Sequence, residues 1–340
     1  MEQRKLLSRI LCVSVAVFLF CISPAFGQMK PIELNYAIMF PATHKQGVLA
    51  TEWANEIGKR TNGRIKITMF SVGTLVPTPK IYDSVVSGIA DIGEGAMSYT
   101  AGKFPLTEVT DLPWGYKNSL VATKLVNEYY KKFRPKEFDE VKVLYLHGTG
   151  PGIFHTKMAI GSLGDMKGRK IRGSAVNARL IECLGATAVN MPVGEAYDAG
   201  NRGVIEGVLL PAEALEGWKL GEVFHFTTAS YSVATGQHLF AVMNKAKWNA
   251  LPPDIQQIIE KVNEEWIEKT GRLWDELDRT ALEYTQKLGG KIITLSKGES
   301  ERWVKAAQPI FDDYLKDTKA KGLPAEEVMR FYKDYLKKNQ

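Results

Sequence analysis

The sequence predicts an α/β protein with two domains, and three observations lead to that prediction. Segments with the apolar patterns of strands alternate along the chain with segments of helical periodicity, which is typical of mostly parallel sheets flanked by helices. The chain has 340 residues, more than a single domain usually holds. One helical pattern, from Pro253 to Leu288, is long enough to cross both domains.

The first predicted domain alternates strands and helices up to residue 147. In its first helix, Leu49, Trp53 and Ile57 fall on one apolar stripe, which indicates a helix packed against a sheet. The predicted strands cover 33–38, 64–70, 90–93 and 141–147, and the predicted helices cover 44–59, 79–88 and 116–132.

A second unit begins after Gly148-Thr149-Gly150-Pro151-Gly152, a run whose composition favours a bend. No single boundary stands out in composition, so we expect the chain to cross between the domains more than once. The expected division places 28–147 and 236–278 in the first lobe, and 148–235 and 279–340 in the second. In this part the predicted strands cover 170–172, 204–208, 224–233 and 238–242, and the predicted helices cover 177–184 and 194–200.

The long helical pattern has two interpretations, a coiled coil or a helix that spans both lobes. Pro253 suits the first turn of a helix, and Gly271 is the only later residue that disfavours one. The apolar positions drift from a strict heptad, which favours the spanning helix. These positions are Ile258, Ile259, Val262, Trp266, Leu273 and Leu277.

The N-terminus has the three parts of a secretion signal. Three basic residues precede an apolar run over 10–20, and a short segment with Pro24 and small residues leads to an expected cut after Gly27. The alternative is a membrane anchor, but the apolar run is short for a span and breaks at Pro24. No later apolar stretch is long enough to cross a membrane. We therefore expect an exported, periplasmic, soluble protein.

Charge and cysteine content bear on the expected partners and on the possibility of a disulfide. Removing residues 1–27 takes three residues from the 44 basic and one from the 38 acidic, which leaves 41 and 37 and a net charge of +4. The two signs are interleaved, as on a solvated surface, so nucleic acid is not an expected partner. Cys183 is then the only cysteine, which excludes an intramolecular disulfide, and its apolar neighbours predict a buried core position.

Signatures of enzymes are weak or missing. Gly148-x-Gly150-x-Gly152 follows a strand but lacks the third glycine of a dinucleotide loop and does not lead into a helix. The sequence contains no Gly-x-Ser-x-Gly elbow and no P-loop, and its five histidines are not at metal-ligand spacing. The sequence thus indicates a protein that is not an enzyme and has no cofactor and no metal.

A set of segments resembles one family over nearly the whole mature chain. The segment 165–172, Asp-Met-Lys-Gly-Arg-Lys-Ile-Arg, resembles a signature of the solute-binding subunits of tripartite ATP-independent periplasmic (TRAP) transporters, the DctP-like family. Each segment alone is a weak signal, whereas their ordered succession is specific. Other segments that agree in order and spacing are Pro41-Ala42-Thr43-His44, Gly63-Arg64-Ile65-Lys66-Ile67, Asp111-Leu112-Pro113-Trp114, Met191-Pro192-x-x-Glu195-Ala196-Tyr197, Val204-Ile205-Glu206-Gly207 and Met243-Asn244-Lys245.

The resemblance implies two α/β lobes joined by a strand hinge, a long helix across both, and a ligand enclosed between them. It also implies that Arg172 holds a ligand carboxylate. A guanidinium is always charged and presents a planar fork that matches a carboxylate with two parallel hydrogen bonds. From spacing alone, Arg172 is equally compatible with a surface position or with an ion pair to Asp165.

Two departures from the family pattern bear on the ligand. Leu210 stands where family members that bind sugar acids or dicarboxylates tend to have asparagine, and Gly152 is the nearest counterpart of a second arginine. Both changes remove hydrogen-bond donors, so a second carboxylate or a hydroxyl would lose about 1–3 kcal/mol per unpaired group. An apolar body would be favoured by burial instead. The candidate ligand-binding residues are Arg172, Leu210, Phe154, Gly152, Phe40, Met97, Glu94, Tyr197 and Gln237.

The sequence therefore predicts a solute-binding protein for a small organic anion, most specifically a monocarboxylate with an apolar or aromatic body. The alternative ligands are a dicarboxylate and a sugar acid. The expected partners are the membrane permease subunits of a TRAP transporter, and a sensor that presents its ligand to a receptor is an alternative role. An enzyme on the same scaffold lacks a recognisable nucleophile, base or metal set.

Overall fold

The computed structural model describes residues 30–100 and 102–340. The predicted signal peptide, residues 1–27, lies outside the described residues. None of the helices in the described part of the chain combines the length and the apolarity needed to span a membrane.

The strands form two sheets, one in each lobe. The first lobe carries a five-stranded sheet in the order β2-β1-β3-β10-β4, and the second carries a six-stranded sheet in the order β11-β9-β5-β8-β6-β7. The strands are β1 (Ile32–Ile38), β2 (Ile65–Phe70), β3 (Ile92–Ala96), β4 (Val141–Gly148), β5 (Ile153–Thr156), β6 (Lys170–Arg172), β7 (Thr187–Val189), β8 (Gly207–Leu210), β9 (Phe226–Ala229), β10 (His238–Asn244) and β11 (Lys291–Thr294).

Helices cover the faces of both sheets. Short 3-10 helices add single turns at 78–80, 97–99, 107–111, 136–138, 193–195, 220–222 and 231–233. The α-helices are α1 (Lys45–Arg60), α2 (Ile81–Val86), α3 (Ser119–Phe133), α4 (Leu163–Met166), α5 (Val176–Cys183), α6 (Ala196–Asn201), α7 (Ala214–Gly217), α8 (Lys245–Ala250), α9 (Pro253–Lys287), α10 (Lys297–Ala320) and α11 (Ala325–Asn339).

Each sheet is mixed, whereas the sequence predicts mostly parallel sheets. In the first sheet β10 runs antiparallel to both β3 and β4. In the second, β5 runs antiparallel to both β8 and β9, while the remaining pairs are parallel. Both of these strands begin where the chain passes from one lobe to the other, so their direction is set by the crossing and not by a βαβ unit.

The two crossing segments pair with each other and form the strand hinge that the resemblance implies. The Thr149 amide donates to the Gln237 carbonyl oxygen at 2.9 Å, and the Gly152 amide donates to the Thr235 carbonyl oxygen at 2.9 Å. A Cβ atom on Gly152 would lie 2.5 Å from the Thr235 Oγ1. Thr235 thus occupies the space that a larger side chain at 152 would need.

The predicted long helix is confirmed as α9, a 35-residue helix about 50 Å long. It packs on α1, α3 and β4 of the first lobe and on α7 of the second. Two tryptophans tie it to α1, because Trp53 donates to the Asn263 Oδ1 at 3.0 Å and Trp266 donates to the Leu49 carbonyl oxygen at 3.1 Å. The chain then enters the second sheet through β11.

Several local predictions shift or miss. The strand predicted over 204–208 begins at Gly207, and β5 has no sequence counterpart because only four residues form it. Cys183 is partly exposed on α5 instead of buried. The C-terminal α11 packs on α3, a helix of the first lobe, although the expected division assigns 279–340 to the second. The division itself stays a prediction.

Candidate functional site

Arg172 ends β6 in the second lobe and is buried, with only 1% of its surface exposed. Its Nε donates to the Met191 carbonyl oxygen at 2.9 Å, and its Nη2 donates to the Tyr99 hydroxyl at 3.0 Å. Asp165 instead accepts from Gly161 and Ser162, so the surface and ion-pair alternatives for Arg172 do not apply. Of the five N–H groups of a guanidinium, two are used here and three remain.

Tyr99 brings the first lobe to this arginine. Its hydroxyl oxygen accepts from the Arg172 Nη2 and from the Val193 amide, each at 3.0 Å, and the guanidinium carbon lies 5.9 Å from its ring centroid. Both lone pairs of the hydroxyl are therefore engaged, while its proton remains available to donate. Tyr99 was not among the sequence candidates, because the segment after β3 has no periodicity that marks it.

Three further contacts join the lobes. The Ser174 hydroxyl lies 3.3 Å from the Ser98 hydroxyl, directly beside the Arg172–Tyr99 contact. Farther along the interface, the His44 Nε2 lies 3.0 Å from the Glu213 Oε2, and both side chains are buried. The Arg179 Nη2 on α5 donates to the Glu108 Oε1. Together these contacts hold the lobes against each other in a closed arrangement.

A cavity of about 290 Å³ lies between the lobes at this point. Its apolar lining comes from Met97, Phe104 and Pro105 of the first lobe and from Ala175 of the second. Ser98 also lines it and precedes Tyr99 in the chain, so the cavity adjoins the segment that contacts Arg172. The volume is near the lower end of small-molecule sites, which suits a ligand the size of one aromatic ring.

His155 holds the backbone of Leu210 through a hydrogen bond. The His155 Nε2 lies 3.2 Å from the Leu210 carbonyl oxygen, which can only accept, so this nitrogen carries the proton. The Nδ1 then accepts from the Thr227 hydroxyl at 3.0 Å. Gln237 donates to the adjacent Leu209 carbonyl oxygen at 3.3 Å. Leu210 itself is 3% exposed and belongs to the core cluster that also holds Phe40 and Met97.

We expect His155 to make the stability of the fold depend on pH. Burial lowers the pKa of His155 from 6.5 to about 4, against the opposing effect of the Leu210 and Pro211 carbonyl groups. Between these values the unfolded chain binds a proton that the folded chain does not, so stability falls as pH drops through this range, by about 3 kcal/mol in all. Urea unfolding from pH 7 to pH 4 measures this loss.

The matched comparison uses His155→Gln and, as a control, His225→Gln, since His225 is exposed. The loss of stability between pH 6.5 and pH 4 should shrink in His155→Gln and stay unchanged in His225→Gln. An identical pH dependence in wild type and His155→Gln would contradict the assignment.

The structure brings some of the sequence candidates to the interface and leaves others away from it. Phe40 stacks on His44 at 4.7 Å, in an aromatic group with Trp218 and Trp274 at the junction of the lobes. Phe154 packs edge-on against Trp303 in the core of the second lobe, and Tyr197 donates to Glu222 near the surface. As ligand contacts, all of the candidates stay predictions.

Glu94 is fully buried and is the centre of a hydrogen-bond network. Its carboxylate accepts from the Tyr36 hydroxyl at 2.9 Å, from the Gln46 Nε2 at 2.9 Å and from the His147 Nε2 at 3.1 Å. Trp274 donates to the His147 Nδ1 at 3.1 Å, which fixes the proton of His147 on Nε2. Because three donors within the first lobe already bond to the Glu94 carboxylate, these contacts account for its burial without a ligand.

Two lobes, a strand hinge, a spanning helix and a buried arginine at the interface define the class of two-lobe solute-binding proteins. The chain belongs to the bacterial extracellular solute-binding protein family 7, DctP, whose model matches residues 36–317. It is thus a solute-binding protein of the type that serves TRAP transporters, and this family is not one of enzymes.

Relatives with a known ligand include two solved structures. A TRAP solute-binding protein from a marine metagenome, in complex with metahydroxyphenylacetate, is 27% identical, with a TM-score of 0.86 over 90% of this chain and 99% of that one. One from Rhodoferax ferrireducens, in complex with copurified benzoate, is 26% identical, with a TM-score of 0.85 over 90% and 98%. A monocarboxylate 2-oxoacid-binding periplasmic protein from Nostoc sp. is 27% identical over 84% of this chain and 78% of its own length.

Proposed function

We propose that this protein captures a monocarboxylate with an apolar or aromatic body in the periplasm and delivers it to the membrane subunits of a TRAP transporter. The observation that carries the proposal is the buried Arg172, whose partner Tyr99 follows Ser98, a lining residue of an interlobe cavity with apolar side chains in its walls. The relatives named above support it, since their ligands are a benzoate, a hydroxyphenylacetate and 2-oxoacids.

The carboxylate is recognised by Arg172 and Tyr99 together. The two hydrogens on the Arg172 Nη1 and the remaining one on Nη2 present the fork that a carboxylate accepts in two parallel bonds. The Tyr99 hydroxyl, which already accepts twice, donates its proton to the same ligand group. Because Tyr99 and Arg172 belong to different lobes, the full set of donors exists only when the lobes are closed.

The body of the ligand lies against the apolar walls. Leu210 offers no hydrogen bond where asparagine would, and the Thr235 side chain leaves no room for a second arginine at Gly152. Burying the face of a ring against Met97 and Phe104 is favourable, whereas a hydroxyl or second carboxylate placed against these apolar side chains would remain unpaired.

Transport follows from closure. A ligand that contacts both lobes shifts the population towards the closed state, and the permease recognises that state. The signal peptide places the mature chain in the periplasm, where such a permease has its binding face. Deletion of the genes for the membrane subunits of the TRAP transporter should abolish uptake of the ligand. Binding of the ligand by the purified protein should remain intact.

Calorimetric titration of the purified mature chain tests the ligand class. Benzoate, phenylacetate and a branched 2-oxo acid are compared with succinate and glucuronate under one set of conditions. Tight binding of an aryl or branched monocarboxylate with little response to succinate is the expected result. Tight binding of a dicarboxylate or sugar acid with no response to the aryl acids would overturn the proposal.

We expect Leu210→Asn to weaken binding of an unsubstituted aryl acid by about 1–3 kcal/mol, because a buried amide would face an apolar ring without a partner. Titration of the same ligand panel measures the change. Leu210→Met, which conserves apolar volume, is the control and should cost less than about 1.5 kcal/mol. Equal affinities in wild type and Leu210→Asn would remove Leu210 from the ligand contacts.

A further inference from the structure

The interlobe cavity lined by Met97 and Ala175 also contains an ion pair that the proposed ligand contacts do not use. Glu108, from the first lobe, and Arg179, from α5 in the second, both line it and bond to each other across the interface. Each side chain is about one third exposed, with 32% of its surface open. The pair therefore faces the same space as Met97 and Ala175.

This ion pair has hydrogen-bonding capacity left over. The Arg179 Nε is buried and has no hydrogen-bond partner among residues 30–100 and 102–340. In the same described part of the chain, the Glu108 carboxylate receives its bond from Arg179 on Oε1, and no donor contacts Oε2. The pair thus offers a free acceptor on Glu108 and, because the ion pair uses one of the five N–H groups of Arg179, free donors on Arg179.

Three other polar residues that line the cavity, Thr107, Thr110 and Asp111, already make hydrogen bonds. Thr107 bonds to Tyr129 and Glu137, and Thr110 bonds to Asp111. Asp111 in turn accepts from the amide and the ring of His238. Compared with these three residues, the Glu108–Arg179 pair is the better-suited partner for a polar group that enters the cavity.

A hydroxyl group matches this pair, because it donates one hydrogen bond and accepts another. It can donate to Glu108 and accept from Arg179, and bonds to charged groups are stronger than those between neutral ones. A second carboxylate fits less well, since Glu108 would repel it. Burial raises the pKa of Glu108, while Arg179 and the nearby Lys321 act in the opposite direction.

We propose that the Glu108–Arg179 pair is a subsite for a hydroxyl on the ligand body, so that the preferred ligands are hydroxylated aryl monocarboxylates. The inference rests on the proposed function, in which Arg172 holds the carboxylate. It adds a specificity determinant that compensates for the donors missing at Leu210 and Gly152.

The test compares benzoate with 3-hydroxybenzoate, and phenylacetate with 3-hydroxyphenylacetate, by calorimetric titration. The measured quantity is the hydroxyl effect, the Kd of the unsubstituted acid divided by the Kd of its hydroxylated form. We expect a hydroxyl effect of roughly 10- to 100-fold in the wild-type chain for at least one pair. In Arg179→Met and in Glu108→Leu it should fall to about one; the lost interlobe contact weakens both acids of a pair equally and so cancels in this ratio.

Arg169→Met and Glu206→Leu are matched controls. Arg169 and Glu206 form an ion pair at 3.1 Å with similar exposure, 35% and 29%, and neither residue lines the cavity that contains Glu108 and Arg179. These variants change charge by the same amount and should keep the wild-type hydroxyl effect. Retained binding of the unsubstituted acids shows that each variant is folded.

The outcomes separate the two proposals. If the unsubstituted acids bind but the hydroxyl effect in wild type is near one, the subsite is overturned and the proposed function stands. The same conclusion follows if the hydroxyl effect is equal in wild type, Arg179→Met and Glu108→Leu. Binding of a dicarboxylate in place of every aryl acid overturns both. Loss of the effect in the Glu108 and Arg179 variants but not in the controls supports the subsite.

Discussion

Arg172→Ala is expected to weaken binding of an aryl monocarboxylate by about 2–5 kcal/mol, which is about 30-fold to several thousand-fold in Kd. The alanine removes the buried guanidinium at the end of β6 and leaves the ligand carboxylate without its charged partner in a site shielded from water. Calorimetric titration with the ligand identified in the screen measures the loss. Arg172→Lys should fall between wild type and alanine, because an ammonium keeps the charge but not the fork.

The control for Arg172 is Arg169→Ala, three residues earlier on the same segment. Arg169 is about one third exposed and pairs with Glu206, so its loss should leave ligand affinity within a factor of about two. Since Arg172 also bonds to Met191 and Tyr99, the ligand-free Tm of each variant is measured as well. Unchanged affinity in a folded Arg172→Ala protein would take Arg172 out of the site.

Glu94→Ala is expected to lower the free energy of unfolding by about 3–5 kcal/mol, the second large effect. The substitution strips the shared acceptor from Tyr36, Gln46 and His147, all of which are buried. It also frees His147 from the contact that orients it towards Trp274 on the long helix. Urea unfolding at pH 7 measures the change.

Glu94→Gln separates the structural role from a role in ligand binding. The amide keeps the volume and one acceptor but brings two hydrogens towards groups that donate, so stability should fall by less than in Glu94→Ala. If Glu94 acts only within the first lobe, the affinity of the folded Glu94→Gln protein should stay within about threefold of wild type. A large loss of affinity at unchanged stability would restore Glu94 as a ligand contact.

The sequence by itself determines the elements whose signal is local. The helical spacing of apolar residues predicts α1 and α9. The strand patterns predict the bounds of β1, β2 and β4 within a residue or two. The ordered motifs around Arg172 identify the family, because they depend on residue identity and spacing alone. The alternation of strands and helices predicts an α/β fold but not the direction of β5 and β10, which depends on where the chain crosses between lobes.

The tertiary structure alone decides which side chains meet. Tyr99 reaches Arg172 from 73 residues away, and Glu108 reaches Arg179 from 71 residues away, and no periodic pattern links positions so far apart. The same holds for Glu94, whose network joins β1, α1 and β4. Burial along an element is readable in sequence because it repeats with the element's geometry, whereas convergence between lobes arises only when they are packed together.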